Sequence, residues 1–173
     1  TVVSCSTTKG PIKIEVVPEW APLGAGRFLE LVEDGFYTNI AFFRCVKGFL
    51  TQFGLSTDPS KKHWHRSTIQ DDPHTGRPIS KYVVSYAGSG PNSRNTQLFF
   101  AFEDLDFLGK APWEVPFGHI VDGFEVMDHL YKGYGDIPPY GEGPDQQKIQ
   151  MPGGELYLKE NYPDLDYLMS CAI

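Results

Sequence analysis

The run Phe42-Phe43-Arg44-Cys45-Val46-Lys47-Gly48-Phe49-Leu50-Thr51-Gln52-Phe53-Gly54 constrains this chain more than any other segment. Apolar and aromatic residues flank a Lys47-Gly48 break, the pattern of two strands joined by a tight turn. One arginine sits inside this apolar pair. A permanent charge is rarely stripped of water without a partner. Arg44 therefore has either a structural carboxylate beside it at a barrel edge or a ligand to hold. Strand alternation predicts Phe43 and Cys45 on one face and Arg44 on the other, with Leu50 and Gln52 sharing a face of the second strand. The expected product is a guanidinium beside an apolar patch and an amide.

The 173 residues are 40% hydrophobic and 21% charged, which predicts one domain over residues 1–173 with a sizeable core. A net charge of −7 argues against a general electrostatic grip on nucleic acid or an anionic membrane. No apolar run of about 18 residues predicts a membrane span. The first residue is Thr1 and no signal-like stretch follows, so a processed or excised product is expected, with a secretory, lumenal or organellar location open. Cys5, Cys45 and Cys171 form no Cys-x-x-Cys pair, so no zinc site of that kind is predicted. Cys45 is expected to face the core.

Two strands, 2–8 and 12–17, are predicted around Lys9-Gly10-Pro11. Residues 21–34 carry Leu23, Phe28, Leu31 and Val32 at helical spacing and stop at Gly35. Further strands are expected over 41–46, 49–53, 82–86, 97–102, 117–121 and 165–173. A second helix is predicted over 124–131, ended by Gly133. Residues 54–80 read as irregular and 132–144 as a surface loop, and the three tyrosines from Tyr131 to Tyr140 could meet a partner. Many short strands with two helices imply a mainly β barrel or sandwich, and periodicity does not choose between them.

Residues 83–100, Val-Val-Ser-Tyr-Ala-Gly-Ser-Gly-Pro-Asn-Ser-Arg-Asn-Thr-Gln-Leu-Phe-Phe, read as strand, small-residue loop, strand. Together with 42–54 they resemble the cyclophilins, the prolyl cis–trans isomerases, and the resemblance extends over nearly the whole chain. It implies a closed eight-stranded antiparallel barrel capped by two α-helices. It also implies isomerisation of Xaa–Pro bonds in flexible segments by a monomer that needs no cofactor. Arg44 matches the catalytic arginine that donates to the prolyl nitrogen, and Gln52 the glutamine that helps hold it and the substrate carbonyl. Phe49, Leu50 and Phe99 match the proline pocket, with leucine in place of the usual methionine. Ala87 and Gly88 match the segment whose backbone pairs with the peptide, and Gln97 lines the same groove. Gly88 stands where asparagine is usual, which predicts a looser loop.

Leu108 matches the pocket leucine and Phe107 the family's tryptophan. No histidine matches the family's, and Trp113 or Glu114 occupies that vicinity. A cyclosporin-type ligand is accordingly expected to fit poorly. The terminal strands of the family lie in one barrel, so a Cys5–Cys171 bridge is conceivable and would imply an oxidising compartment. The rival reading is a binding module that holds proline-containing peptides with little turnover and serves in a larger assembly. A weaker rival uses His63 and His65, side by side on an extended segment, as metal ligands.

Overall fold

The computed structural model describes residues 1–173. Nine strands form one antiparallel sheet: β1 (Val2–Thr7), β2 (Gly10–Val16), β3 (Ile40–Ala41), β4 (Arg44–Cys45), β5 (Leu50–Phe53), β6 (Val83–Tyr86), β7 (Leu98–Ala101), β8 (Gly118–Asp122) and β9 (Tyr167–Ala172). Their order is β3-β9-β1-β2-β8-β6-β7-β5-β4. The two outermost strands, β3 and β4, are separated in the chain only by Phe42 and Phe43, so the polypeptide itself joins the ends of the order.

The predicted strand 41–46 is thus two short strands, and this accounts for nine rather than eight. Its first half pairs with β9 and its second with β5. The change of partner resets the alternation. Phe42 and Cys45 enter the main core, whereas Phe43 joins Ala41 in a second cluster, not Cys45 as predicted.

The main core is aromatic. Phe53 stacks on Phe100 with centroids 5.2 Å apart, and Phe28 lies 5.2 Å from Phe117. Helix α1 (Pro22–Asp34) buries Ala25, Phe28, Leu31 and Val32 there. It ends as its glycine predicts: Gly35 has φ +79, its N–H reaches Val32 O, and Phe36 N–H reaches Leu31 O at 3.0 Å. This double bond pattern is the Schellman closure, with Phe36 and Leu31 supplying its apolar contact.

The other end of α1 is capped from a distance. Ala21 offers no side-chain cap, and the Asp72 carboxylate accepts from Leu23 N at 2.7 Å and Gly24 N at 2.9 Å. Arg94 Nη1 donates to the same carboxylate at 3.0 Å, and both side chains are wholly buried. Negative charge is favourable at a helix N-terminus, and the arginine completes the pairing that a buried carboxylate requires. The irregular 54–80 segment thus supplies a helix cap through Asp72.

Four α-helices are present, not two. Helix α2 (Phe124–His129) stops at Leu130, short of Gly133. Helices α3 (Gln146–Gln150) and α4 (Gly154–Asn161) are short and mostly exposed, which leaves little periodic signal. Each inserts one apolar residue, Ile149 and Leu158, into the second cluster beside Phe43, Leu55 and Leu165. Tyr134 and Ile137 pack against the same cluster. The 132–144 loop is thus tethered inward, and of its tyrosines only Tyr140 is strongly exposed. Residues 54–80 are irregular apart from a 3-10 turn at Lys62–Arg66. No helix is long and apolar enough to cross a membrane.

Cys5 and Cys171 lie opposite one another in β1 and β9 and are disulfide-bonded. Cys45 is free and buried, and burial pushes its thiol up to about 11. The bridge closes a separation of 166 residues, which removes much denatured-chain entropy. Unfolded, unreduced protein should show one reactive thiol per chain. The Cys5→Ser/Cys171→Ser variant should lose about 2–4 kcal/mol in urea denaturation, and an unchanged midpoint would contradict this.

Candidate active site

The site grows from the β4–β5 hairpin. Val46 N–H bonds Leu50 O at 2.9 Å and Phe49 N–H bonds Val46 O at 3.1 Å, which sets the register Arg44 opposite Gln52. Gln52 lies opposite Phe99 of β7, and Phe99 opposite Ser85 of β6. Residues opposite one another in an antiparallel ladder project to the same face. Arg44, Gln52 and Phe99 therefore form a row on the outside of the sheet, while Cys45, Phe53 and Phe100 point into the core.

A groove of about 390 Å³ runs along this row. Its floor is an apolar cluster separate from the main core, in which Leu50 and Phe99 pack with Ile79, Ala101 and Leu105. Phe49, Ala87 and Leu108 flank it. The polar side is a line of side chains: Gln52 Oε1 accepts from Arg44 Nη1 at 3.0 Å, and Gln52 Nε2 donates to Gln97 Oε1 at 2.9 Å. The Arg44 guanidinium also lies 5.4 Å from the centroid of the Phe49 ring.

Of the residues singled out from the sequence, Arg44, Gln52, Phe49, Leu50, Ala87, Gly88, Gln97, Phe99 and Leu108 all line this groove. Phe107 does not. It is 67% exposed, and its ring rests against Phe49 from outside at 5.6 Å. The indole in the groove is Trp113, with Glu114 beside it. Glu114 Oε2 accepts from Gly109 N and Lys110 N, which folds the segment back on itself and carries Trp113 inward.

Gly88 has a steric role. A Cβ at that position would overlap the indole, approaching Trp113 Cγ to 2.8 Å. Gly88 is the space that Trp113 fills.

Asp136, from the 132–144 loop, was not legible as a site residue. Its Oδ1 accepts from Arg44 Nε at 2.7 Å and its Oδ2 from Arg44 Nη2 at 3.2 Å. Burial opposes ionisation of Asp136. The Arg44 hydrogen bonds, the Ile137 N–H and the arginine charge outweigh it and hold the carboxyl below its usual range. The sequence signal was Arg44 itself, a charge in need of a partner, but nothing local names a carboxylate 92 residues away.

His63 and His65 lie in the 3-10 turn rather than on an extended segment, so two positions along they diverge around the axis. His65 Nε2 accepts from Ser56 N at 3.0 Å, which occupies the lone pair a metal would need. No three His, Cys, Asp or Glu side chains gather in a form that could hold a metal.

Two outcomes follow from these contacts. Burial first, then nearby positive charge, lowers the His65 pKa from 6.5 to about 4. Between those values the unfolded chain binds a proton that the folded chain does not, so this contribution is complete above pH 6.5 and is lost as pH falls toward 4. In urea titrations His65→Gln should show a shallower loss of stability across that window, and an identical slope would refute the assignment. Gly88→Asn should expel Trp113 from the groove, read as a red shift of tryptophan emission absent from a Phe107→Ala control.

The family model for cyclophilin type peptidyl-prolyl cis-trans isomerase matches residues 2–150. Peptidyl-prolyl cis-trans isomerase-like 3 of Dictyostelium discoideum is 30% identical over 133 residues, covering 75% of this chain and 81% of its own length. The protein of that name from Rattus norvegicus is 31% identical over 161 residues, covering 91% and 92%. A cyclophilin-type isomerase from Cryptosporidium parvum, crystallised in the presence of the dipeptide Ala-Pro, matches at a TM-score of 0.71 and 21% identity, covering 100% of this chain and 98% of its own. That likeness carries the fold, and the family match rests on sequence. The chain belongs to the cyclophilin-type peptidyl-prolyl cis–trans isomerase family.

Proposed function

We propose that this protein isomerises Xaa–Pro bonds in peptides and flexible protein segments, without a cofactor and without a covalent intermediate. The observation that carries the reading is the row Arg44–Gln52–Phe99, which sets an arginine donor and an amide beside an apolar slot. The barrier to prolyl rotation, about 18–20 kcal/mol, is lost amide resonance. As the bond twists, the nitrogen lone pair localises and becomes a hydrogen-bond acceptor. A donor in place at that moment binds the transition state more tightly than the ground state.

The donor count permits this. A guanidinium has five N–H groups. Two go to Asp136 and one to Gln52, which leaves one on each terminal nitrogen. Gln52 spends one amide N–H on Gln97 and retains the other for a substrate carbonyl. Leu50 and Phe99 offer the proline ring an apolar surface, with Phe49 at its edge. The Ala-Pro dipeptide used with the Cryptosporidium parvum relative is the substrate class this groove suits.

A second reading is a proline-peptide-binding module of low turnover. It is favoured by the missing histidine, with Trp113 and Glu114 lining the groove and no histidine among its residues. Turnover of an Ala-Pro reporter peptide separates the two. Wild type should accelerate isomerisation, and Arg44→Ala should lower kcat/KM at least tenfold, about 1.4 kcal/mol of transition-state stabilisation. Arg44→Ala should keep the wild-type circular dichroism. Peptide binding without turnover in either protein would establish the module instead.

A further inference from the structure

Arg44 and Asp136 are both seated by the same small core. Phe43, the residue before Arg44, is buried in the second cluster, and Ile137, the residue after Asp136, packs against it. The loop is built closely around the aspartate. Its Oδ1 accepts from Ile137 N at 2.7 Å, and its carbonyl accepts from Gly143 N at 3.0 Å. Glu142 N bonds Tyr134 O and Tyr140 N bonds Ile137 O, each at 3.0 Å. A Cβ at Gly141 would collide with the Asp136 backbone. Tyr134 meets Tyr162 edge-on at 5.1 Å, tying the loop to the end of α4. A bidentate pair held this way from both sides is unlike the exposed ion pairs that contribute little, because its geometry is imposed by packing.

Asp136 closes the Nε edge of the guanidinium, yet it does not line the groove. It grips the arginine from behind. We propose that Asp136 is the positioning residue of this site, clamping Arg44 by its Nε edge so that the remaining N–H groups of the terminal nitrogens are presented to the proline slot. The catalytic consequence rests on the isomerase reading, and the clamp itself does not. With Gln52 on Nη1 and Asp136 on Nε and Nη2, rotation about the last side-chain torsions would break at least one bond. A long side chain that would otherwise sample many rotamers is ordered before substrate arrives.

The test compares wild type, Asp136→Ala, Asp136→Asn and Asp136→Glu. Two readouts are used: turnover of an Ala-Pro reporter, and the Arg44 Nε–H signal in nitrogen-15 NMR, assigned by its loss in Arg44→Ala. Asp136→Ala should lose roughly tenfold in kcat/KM, carried by kcat with KM nearly unchanged, because the lost order matters in the transition state. Its Arg44 Nε–H should change from a resolved, slowly exchanging signal to a fast-exchanging one. Asp136→Asn keeps the side chain's size and retains one acceptor, and should fall between, which keeps the test valid if the alanine variant disturbs the loop. Asp136→Glu should restore part of both readouts.

Turnover in Asp136→Ala equal to or faster than wild type would overturn the proposal, since the carboxylate would then be idle or competing with substrate. An unchanged Nε–H signal in that variant would overturn it as well. A wild type that binds peptide but does not turn it over would overturn the isomerase reading, while the Nε–H comparison would still uphold or refute the clamp.

Discussion

Ile40 and Ala41 bond to β9, and three residues later Arg44 and Cys45 bond to β5. This exchange of partners within one segment joins the two ends of the sheet. A strand cannot serve two neighbours on opposite sides without bending, and Phe42-Phe43 is the bend. The bend sends Phe42 into the main core and Phe43 into the second, anchoring the corner from both sides. Arg44 emerges directly after it with its side chain outward, at the start of the row formed with Gln52 and Phe99. The groove, its arginine and the second cluster that seats Asp136 all depend on this corner.

Two arginine–aspartate pairs in the fold differ in how far they are buried. Arg94 and Asp72 are wholly enclosed, and the carboxylate is saturated by two helix N–H groups and the guanidinium. Separating such a pair would leave an uncompensated buried charge, which makes it an anchor for α1 and a poor site for a ligand. Arg44 and Asp136 remain about one-fifth exposed, and two arginine N–H groups are left over beside a groove. The same pairing is sealed into packing in one place and left open to a groove in the other, and solvent access is the difference.

Features with a local cause were readable in advance. The hairpin at Lys47-Gly48, the glycine end of α1 and the outward Arg44 each follow from neighbours a few residues apart. Eight of the groove residues were readable through two segments whose spacing matches a known family, and Leu108 through the segment that follows them. The misreadings share one origin. Helices α3 and α4 each bury one side chain, so they carry almost no hydrophobic period. Phe107 was matched to the tryptophan position by order along the chain, whereas Glu114 folds the segment so that Trp113 arrives. His63 and His65 were placed by an extended spacing that the 3-10 turn does not have.

By itself, then, the chain determined the alternation that turns Arg44 away from Cys45, the strand-and-turn rhythm, and the residue types that make an apolar slot beside a donor. These are set by φ/ψ preferences and side-chain period, which act over a few residues. Tertiary structure alone decided which distant groups meet: Asp136 with Arg44 across 92 residues, Asp72 with the start of α1 across 49, and Cys5 with Cys171 across 166. Pairings of this kind depend on how the whole sheet closes and which cores form beneath each loop, and no local pattern of residues encodes that geometry.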